Sequence, residues 1–470
     1  MNETLERELV NPLEEDNSVR IIEYIKYGKP FNLLRNLKPR KRKAILSQRH
    51  WILPQARMER NKKLLLASNQ SPGSPVPPLV ANPNIPHIIK YMGSKKKIID
   101  YVIEGINECY TGGTVVDLFA GSTVLSGALR NQVPMISNDI QQYSAMLSNT
   151  YLSSYDWENQ YPNILEEVIR QATSIVDEFK ETYPELRFDY SGELTLEEFN
   201  ELEKKQQDLI EHDFSAFTYH LFVKNYSGTY WSFEQCLWID AIRGVAEQYK
   251  EEAIYYPIIS SLMFAMSYNS QSTGHYAQYR DATNDKSMKD ILIYRRKEIV
   301  PYFERKFLEF KEALGQNDKA NTVMSYDYLE CLERIPNNST VYADPPYCFV
   351  HYSRFYHAIE TLVRYDYPEV RYKGRYRTDR HQSPFCIKTK VKDAFEEMFR
   401  KVAEKESNLV LSYSDTGMIE LDELIEVARD IFGHNYVINV RYQNYLHSTM
   451  GRKEDKSRDV QEALLLAKKI

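Results

Sequence analysis

The sequence predicts an α/β fold in which a doubly wound sheet is interrupted by a long, mostly helical insertion. Three observations carry this. TVVDL (114–118) and VPMISND (133–139) are short β-rich runs with the helix-like STVLSGALRN between them, a β-turn-α-β opening. Strand texture then vanishes until TVMSYDY (322–328), TVYADPPY (340–347) and NLVLSYSD (408–415). In the gap, ILEEVIRQATSIVDEFKETY, LTLEEFNELEKKQQDLIEHDF and DAIRGVAEQYKEEAIYYPIISSLMFAMSY place apolar residues at helical spacing.

The elements follow in order along 470 residues, a length suited to two or three domains. Residues 1–67 form an N-terminal basic appendage, in which 35–63 carries a dense run of Lys and Arg with Glu59 as its only acid. SNQSPGSPVPPLVANPNIP (68–86) is too rich in proline to build a helix or central strand and reads as a linker. Residues 87–150 hold the first half of the sheet, 151–315 the helical insertion and 316–470 the second half. In the last part AFEEMFRKVAEKE is an amphipathic helix. YVINVRYQNYL and DVQEALLLAKK read as a closing antiparallel pair. The five scattered cysteines include no CxxC pair, so reduced, cytoplasmic thiols are expected rather than disulfides or a zinc site. The acidic, polar start is not a signal peptide, and no apolar run is long enough for a bilayer, so no membrane partner is expected. A net charge of −6 argues against coating of the whole surface by nucleic acid but allows a local basic cleft.

Three motifs carry chemistry. In DLFAGST (117–123) a strand ends at Asp117 and Gly121 permits a tight turn into a helix, so the backbone can approach a ligand. About twenty residues on, the second strand ends in Asn138-Asp139, where an acid is placed to hold ribose hydroxyls. Ser122 and Thr123 stand where a dinucleotide turn wants glycine, which favours a nucleoside without a pyrophosphate. YMGSKKK (91–97) sets a glycine-serine turn and lysines at a helix start, suited to an anionic group. DPPY (344–347) is the most specific. Pro345 and Pro346 hold the chain extended past the strand. The Asp344 carboxylate and the Pro345 carbonyl can then point the same way, with Tyr347 as a flat face beside them. Two acceptors and a ring match the amino group of a planar base.

KYMGSK, DLFAGST and DPPY in this order resemble the DNA adenine methylase (Dam-like) family of S-adenosylmethionine-dependent N6-adenine methyltransferases, over roughly residues 88–470. The resemblance implies a Rossmann-like methyltransferase sheet with an inserted target-recognition domain. It implies S-adenosylmethionine as cofactor, held by Tyr91, Gly93, Lys95, Asp117, Phe119, Gly121 and Asp139, with Asp327 near its adenine. It implies that Asp344, Pro345, Pro346 and Tyr347 hold a target adenine flipped out of double-stranded DNA. Three features depart from the family's pattern: Thr123 where a second glycine is common, a bulky stretch behind DPPY, and the appendage.

Expected chemistry is hydrogen bonding of the adenine amine to Asp344 and the Pro345 carbonyl, so that its lone pair faces the sulfonium methyl, with charge stabilisation in a dry pocket and no metal. DNA contacts are expected from the loop STGHYAQYR, through His275, Tyr276 and Arg280, and from the basic, tyrosine-rich stretch behind DPPY, through Arg354, Arg375 and Arg377. The leading reading is a site-specific adenine methyltransferase, the modification part of a restriction or defence system with a cognate nuclease as possible partner. N4-cytosine methylation and an inactive methyltransferase-like DNA-binding protein are the alternatives.

Overall fold

A computed structural model describes residues 76–470 except 272–274, 347–351, 415–416 and 449–456. The basic appendage, Tyr347 and the start of the STGHYAQYR loop lie outside the described residues. The chain divides after Pro75, and Val76–Lys469 form one unit.

A single turn at Lys95–Ile98 leads into α1 (Ile99–Cys109), β1 (Val115–Asp117), α2 (Val124–Ala128), β2 (Met135–Asn138) and α3 (Gln142–Leu152). A run of helices follows: α4 (Ile164–Thr182), α5 (Leu196–Gln207), α6 (Leu221–Tyr226), α7 (Phe233–Ala246), α8 (Tyr255–Asn269), α9 (Asp285–Arg295) and α10 (Ile299–Ala313). Then come β3 (Thr322–Met324), α11 (Tyr328–Arg334), β4 (Thr340–Ala343), α12 (Tyr352–Phe355), α13 (His357–Arg364) and the hairpin β5 (Val370–Arg371) and β6 (Tyr376–Arg377). The chain closes with α14 (Val391–Glu404), β7 (Asn408–Ser414), α15 (Leu421–Phe432), β8 (Tyr436–Ser448) and β9 (Ser457–Lys469).

Seven strands form one sheet in the order β3-β2-β1-β4-β7-β9-β8. The first five are parallel, and β9 runs antiparallel between β7 and β8. Parallel strands covered on both faces must be apolar throughout, which is why the central strands read as Val-, Leu- and Tyr-rich runs rather than as strict alternations. Successive residues serve opposite faces. Val116, Val341, Leu409 and Leu411 pack on one face with Phe395, Met398 and Phe399 of α14 and Leu424 of α15. Val115, Met135, Val410 and Leu464 pack on the other with Val102 and Ile106 of α1. Each such side chain contributes roughly 1.5–3 kcal/mol on burial. Gly105 lets α1 sit close: a Cβ there would lie 2.6 Å from Leu464 Cδ1.

The helical run between α3 and β3 is the one the periodicity predicts. Its core, including Phe179, Phe222, Trp231 and Leu262, is continuous with Tyr143 and Leu147 of α3 and with Ile359 of α13. Reciprocal caps start α5 (Thr195 with Glu198) and α7 (Ser232 with Gln235). A buried Arg295–Glu203 ion pair of 2.5 Å ties α9 to α5.

The linker boundary needs a correction. Its second half, residues 76–86, is seated on the folded unit. Leu79 is buried, and its N–H and C=O both bond to Asn107; Val80 does the same with Gln132; Tyr151 Oη donates to the Pro86 carbonyl. Proline denies this stretch a helix or ladder, but asparagine and glutamine side chains pair its backbone instead.

The strand order reverses at β1, which has β2 on one side and β4 on the other. Asp117 pairs in register with Ser137 and with Tyr342. The carboxyl ends of β1, β2 and β4 thus open together at the switch point, where a parallel sheet offers a crevice.

Candidate active site

A cleft at that crevice is lined by Tyr91, Gly93, Lys95, Asp117, Phe119, Gly121, Asp139, Asp327, Asp344, Pro345 and Pro346. Every cofactor or catalytic residue expected from the sequence that lies among the described residues therefore lines one cavity. Tyr347 lies outside the described residues.

The turn after β1 holds Gly121 at φ +50, where a Cβ would lie 2.9 Å from Tyr91 Oη. Thr123 follows at φ 59, a left-handed conformation that costs a β-branched residue dearly and that glycine adopts freely. Asp139, just past β2, accepts hydrogen bonds from the Gly121 N–H (Oδ2, 2.9 Å) and the Gln141 N–H (Oδ1, 2.9 Å). One carboxylate thereby fixes the β1 turn and the start of α3. Burial raises its pKa, opposed by those two N–H groups.

The YMGSK segment lies directly on this turn. Ser122 Oγ donates to Ser94 Oγ at 3.3 Å. The Tyr91 ring stacks on Tyr356 (4.7 Å between centroids, 19°) and on Tyr352 (5.6 Å, 25°), and the Met92 N–H donates to Tyr356 Oη at 2.7 Å. Gly93, at φ +77, is covered by Tyr352. Helices that follow DPPY thus hold the YMGSK segment in place. Glu360 of α13 adds to this by accepting the Gln142 and Tyr143 N–H groups at the start of α3. Asp327 caps α11 through the Leu329 N–H (3.0 Å). Phe119 packs edge-on against Phe385.

Lys95, expected on the cofactor, lines the cleft and also joins two acids. Its Nζ lies 3.1 Å from Asp344 Oδ1 and 2.6 Å from Glu462 Oε1. Glu462, on β9 and 1% exposed, also accepts from Ser412 Oγ. Sequence reasoning missed it. The available signal was an acid opening the apolar run EALLLA inside a strand (462–467), where an inward-facing carboxylate needs a partner. Burial raises the Asp344 pKa to about 6; Lys95 works against the shift and Glu462 adds to it. Burial, with Asp344 and Asp139 close by, holds Asp117 far above the usual carboxylate range. Tyr342 Oη is buried beside these acids with no hydrogen-bond partner among the described residues.

The expected DNA contacts need correction. Arg377 is 2% exposed and pairs with Asp366 (2.6 Å) and Asp379 (3.1 Å). Arg375 donates to the carbonyls of Asn225 and Gln207. Tyr276 is buried among Tyr230 and Trp231. Arg280 pairs with Asp290 and bonds to the Gln271 carbonyl, and His275 packs on Phe355. These side chains build the loop that was expected to grip. The acids that take the arginines stand in the same stretch of sequence, and a tally of basic and aromatic residues ignores them. Arg354 differs: its Nε meets Tyr376 Oη at 3.2 Å and it opens on a groove.

Residues 91–425 match the family model of the D12 class N6 adenine-specific DNA methyltransferases. The chain belongs to this family. Its mainly parallel sheet is consistent with a methyltransferase fold. Relatives include Modification methylase LlaI of Lactococcus lactis subsp. lactis, 24% identical over 81% of this chain and 55% of that protein. Type II methyltransferase M.FokI of Planomicrobium okeanokoites is 24% identical over 72% of this chain and 46% of its own length. Type II methyltransferase M.NlaIII of Neisseria lactamica is 20% identical over 81% of this chain and 99% of its own length. The chain spans about half the length of the first two. Among the described residues no helix is long and apolar enough to cross a membrane.

Proposed function

We propose that the chain transfers a methyl group from S-adenosylmethionine to the N6 amine of an adenine flipped out of double-stranded DNA, as the modification component of a restriction-modification system, as its relatives' names suggest. The observation that carries this is the convergence of Asp344, Pro345 and Pro346 with the Asp117–Gly121 turn and Asp139 in one cleft at the sheet's switch point.

The residues fit the cofactor. Gly121 is a cradle that a Cβ would fill, Asp139 retains lone pairs for hydroxyls beyond its two N–H contacts, and the gathered carboxyls suit a cation. When bound, the cofactor supplies an electrophilic methyl on a positively charged sulfur. The chain's own work is to hold the amine. Asp344 accepts one of its N–H bonds and the Pro345 carbonyl the other, which localises the nitrogen lone pair and aims it along one direction. The Asp344 carboxylate then stabilises positive charge growing on nitrogen. Lys95 keeps Asp344 ionised near neutral pH. The helices α4–α10 are proposed as the recognition domain, with residues 87–150 and 316–470 as the two halves of the catalytic domain. Tyr347 is proposed as a stacking face for the base.

The test is transfer of labelled methyl groups to unmethylated DNA, followed by nucleoside digestion. N6-methyladenine supports the reading; N4-methylcytosine or no methylated nucleoside refutes it. Asp344→Asn should lower kcat by about 10²–10³ with cofactor affinity retained.

A further inference from the structure

The stretch 354–380 carries seven basic residues, and the fold sorts them. Arg364 and Arg377 pair with Asp366 and Asp379, Arg371 with Glu369, and Lys373 with Asp281; Arg375 is held by carbonyls. Among the described residues, Arg354 and Arg380 have no ion pair. Both guanidiniums lie over the Tyr376 ring, 5.2 and 5.0 Å from its centroid. The hydrogen bonds of both are made through Nε, to Tyr376 Oη and to the Arg377 carbonyl.

These two arginines line an open groove with Tyr372 and Tyr376. The groove and the catalytic cleft share Ser353, His381 and Gln382 as walls, so the two lie side by side. Tyr372 is 77% exposed and sits at φ 61 in the turn of the β5–β6 hairpin. Below it Gly374 lies against the Tyr376 ring, which a Cβ there would meet at 2.4 Å. A guanidinium mounted on an aromatic face, lacking a carboxylate and turned to an open groove, suits a phosphodiester. An exposed ring at its rim suits an unpaired base.

We propose that this groove binds the DNA strand that carries the target adenine, at the nucleotide next to the extruded one. Arg354 and Arg380 hold its phosphates and Tyr372 stacks on the adjoining base. The inference rests on the methyltransferase reading and adds a subsite to it.

The experiment uses the full chain, the Arg354→Ala/Arg380→Ala double variant, and Arg371→Ala as a control outside the groove. KM for unmethylated plasmid DNA and the affinity for a labelled mixed-sequence duplex are measured between about 50 and 200 mM salt. The double variant should raise KM about tenfold or more and flatten the log–log salt dependence by one to two. Cofactor affinity and thermal melting should stay as in the wild type, and Arg371→Ala should match the wild type. If the double variant melts early, Arg354→Gln/Arg380→Gln replaces it, since the planar amide still covers Tyr376. A wild-type KM and salt slope in the double variant, or an equal loss in Arg371→Ala, overturns the proposal. If the wild type methylates no adenine, the reaction reading fails, and duplex binding by the same variants still decides the groove.

Discussion

Replacing Glu462 by glutamine keeps the side chain's size and an acceptor for Ser412 but removes a negative charge from beside Asp344. With Lys95 Nζ 2.6 Å from one carboxylate and 3.1 Å from the other, the two acidic oxygens are at most about 5.7 Å apart. At an effective dielectric of about 20, like charges at that distance repel by roughly 3 kcal/mol, or about two pH units. Lys95 remains and then favours the Asp344 carboxylate alone. Allowing for relaxation and entry of water, the expected downward shift is about one to two units. Burial pushes the Asp344 carboxyl up to about 6 in the wild type. Its carboxylate is the form that accepts from the amine, so the acid limb of the wild-type rate should fall near that value.

The assay is kcat/KM for S-adenosylmethionine at subsaturating DNA from about pH 4.5 to 8.5, which reports groups on the enzyme before the ternary complex forms. The glutamine variant should hold its plateau rate to lower pH, gaining activity relative to plateau at pH 5.5. Lys95→Met should do the opposite, because removing the cation raises the Asp344 pKa further. An acid limb unmoved in both variants, or displaced in the same direction by both, refutes this reasoning. Stability carries the same sign. Because the folded value lies above the 3.8 of a free aspartate, this carboxyl stabilises the fold below about pH 4 and that contribution is lost as pH rises through 6.

Three further outcomes are expected. Asp139→Asn turns an amide N–H₂ toward one of two backbone N–H groups, and an unpaired buried donor costs about 1–3 kcal/mol, so cofactor affinity by calorimetry should fall roughly tenfold to a hundredfold. Thr123→Gly relieves a left-handed threonine and deletes a buried hydroxyl that has no partner among the described residues, against about 0.5–1 kcal/mol of added chain entropy. Urea unfolding should therefore find it more stable by about 1 kcal/mol. Arg295→Leu strands Glu203 in the helical core and should cost about 3–5 kcal/mol in the same measurement.

The parts legible in the sequence are those where local chemistry and position coincide. β1 and β4 had to be apolar because both faces are covered, and their terminal acids had to sit at the sheet's carboxyl edge, so TVVDL and TVYADPPY gave strand and site together. The gap without strands likewise gave the helices. Contacts between distant segments were not legible. Nothing near Lys95 in sequence announces Glu462, 367 residues away, and nothing near Tyr91 announces the stack on Tyr352 and Tyr356.

The basic stretch shows why composition alone misleads. Arg377 and Arg354 look equivalent in sequence, but Arg377 has Asp379 two residues away and folds onto it, while no acid reaches Arg354 among the described residues. An arginine becomes available to a phosphate only when the fold leaves it without a carboxylate. Pairing each base in such a stretch with the acids that the hairpin brings opposite it would have separated Arg364 and Arg377 from Arg354 and Arg380. The cue is the position of Asp366 and Asp379 on either side of β5–β6, which places both acids at the open end of that hairpin, away from the turn that carries Tyr372.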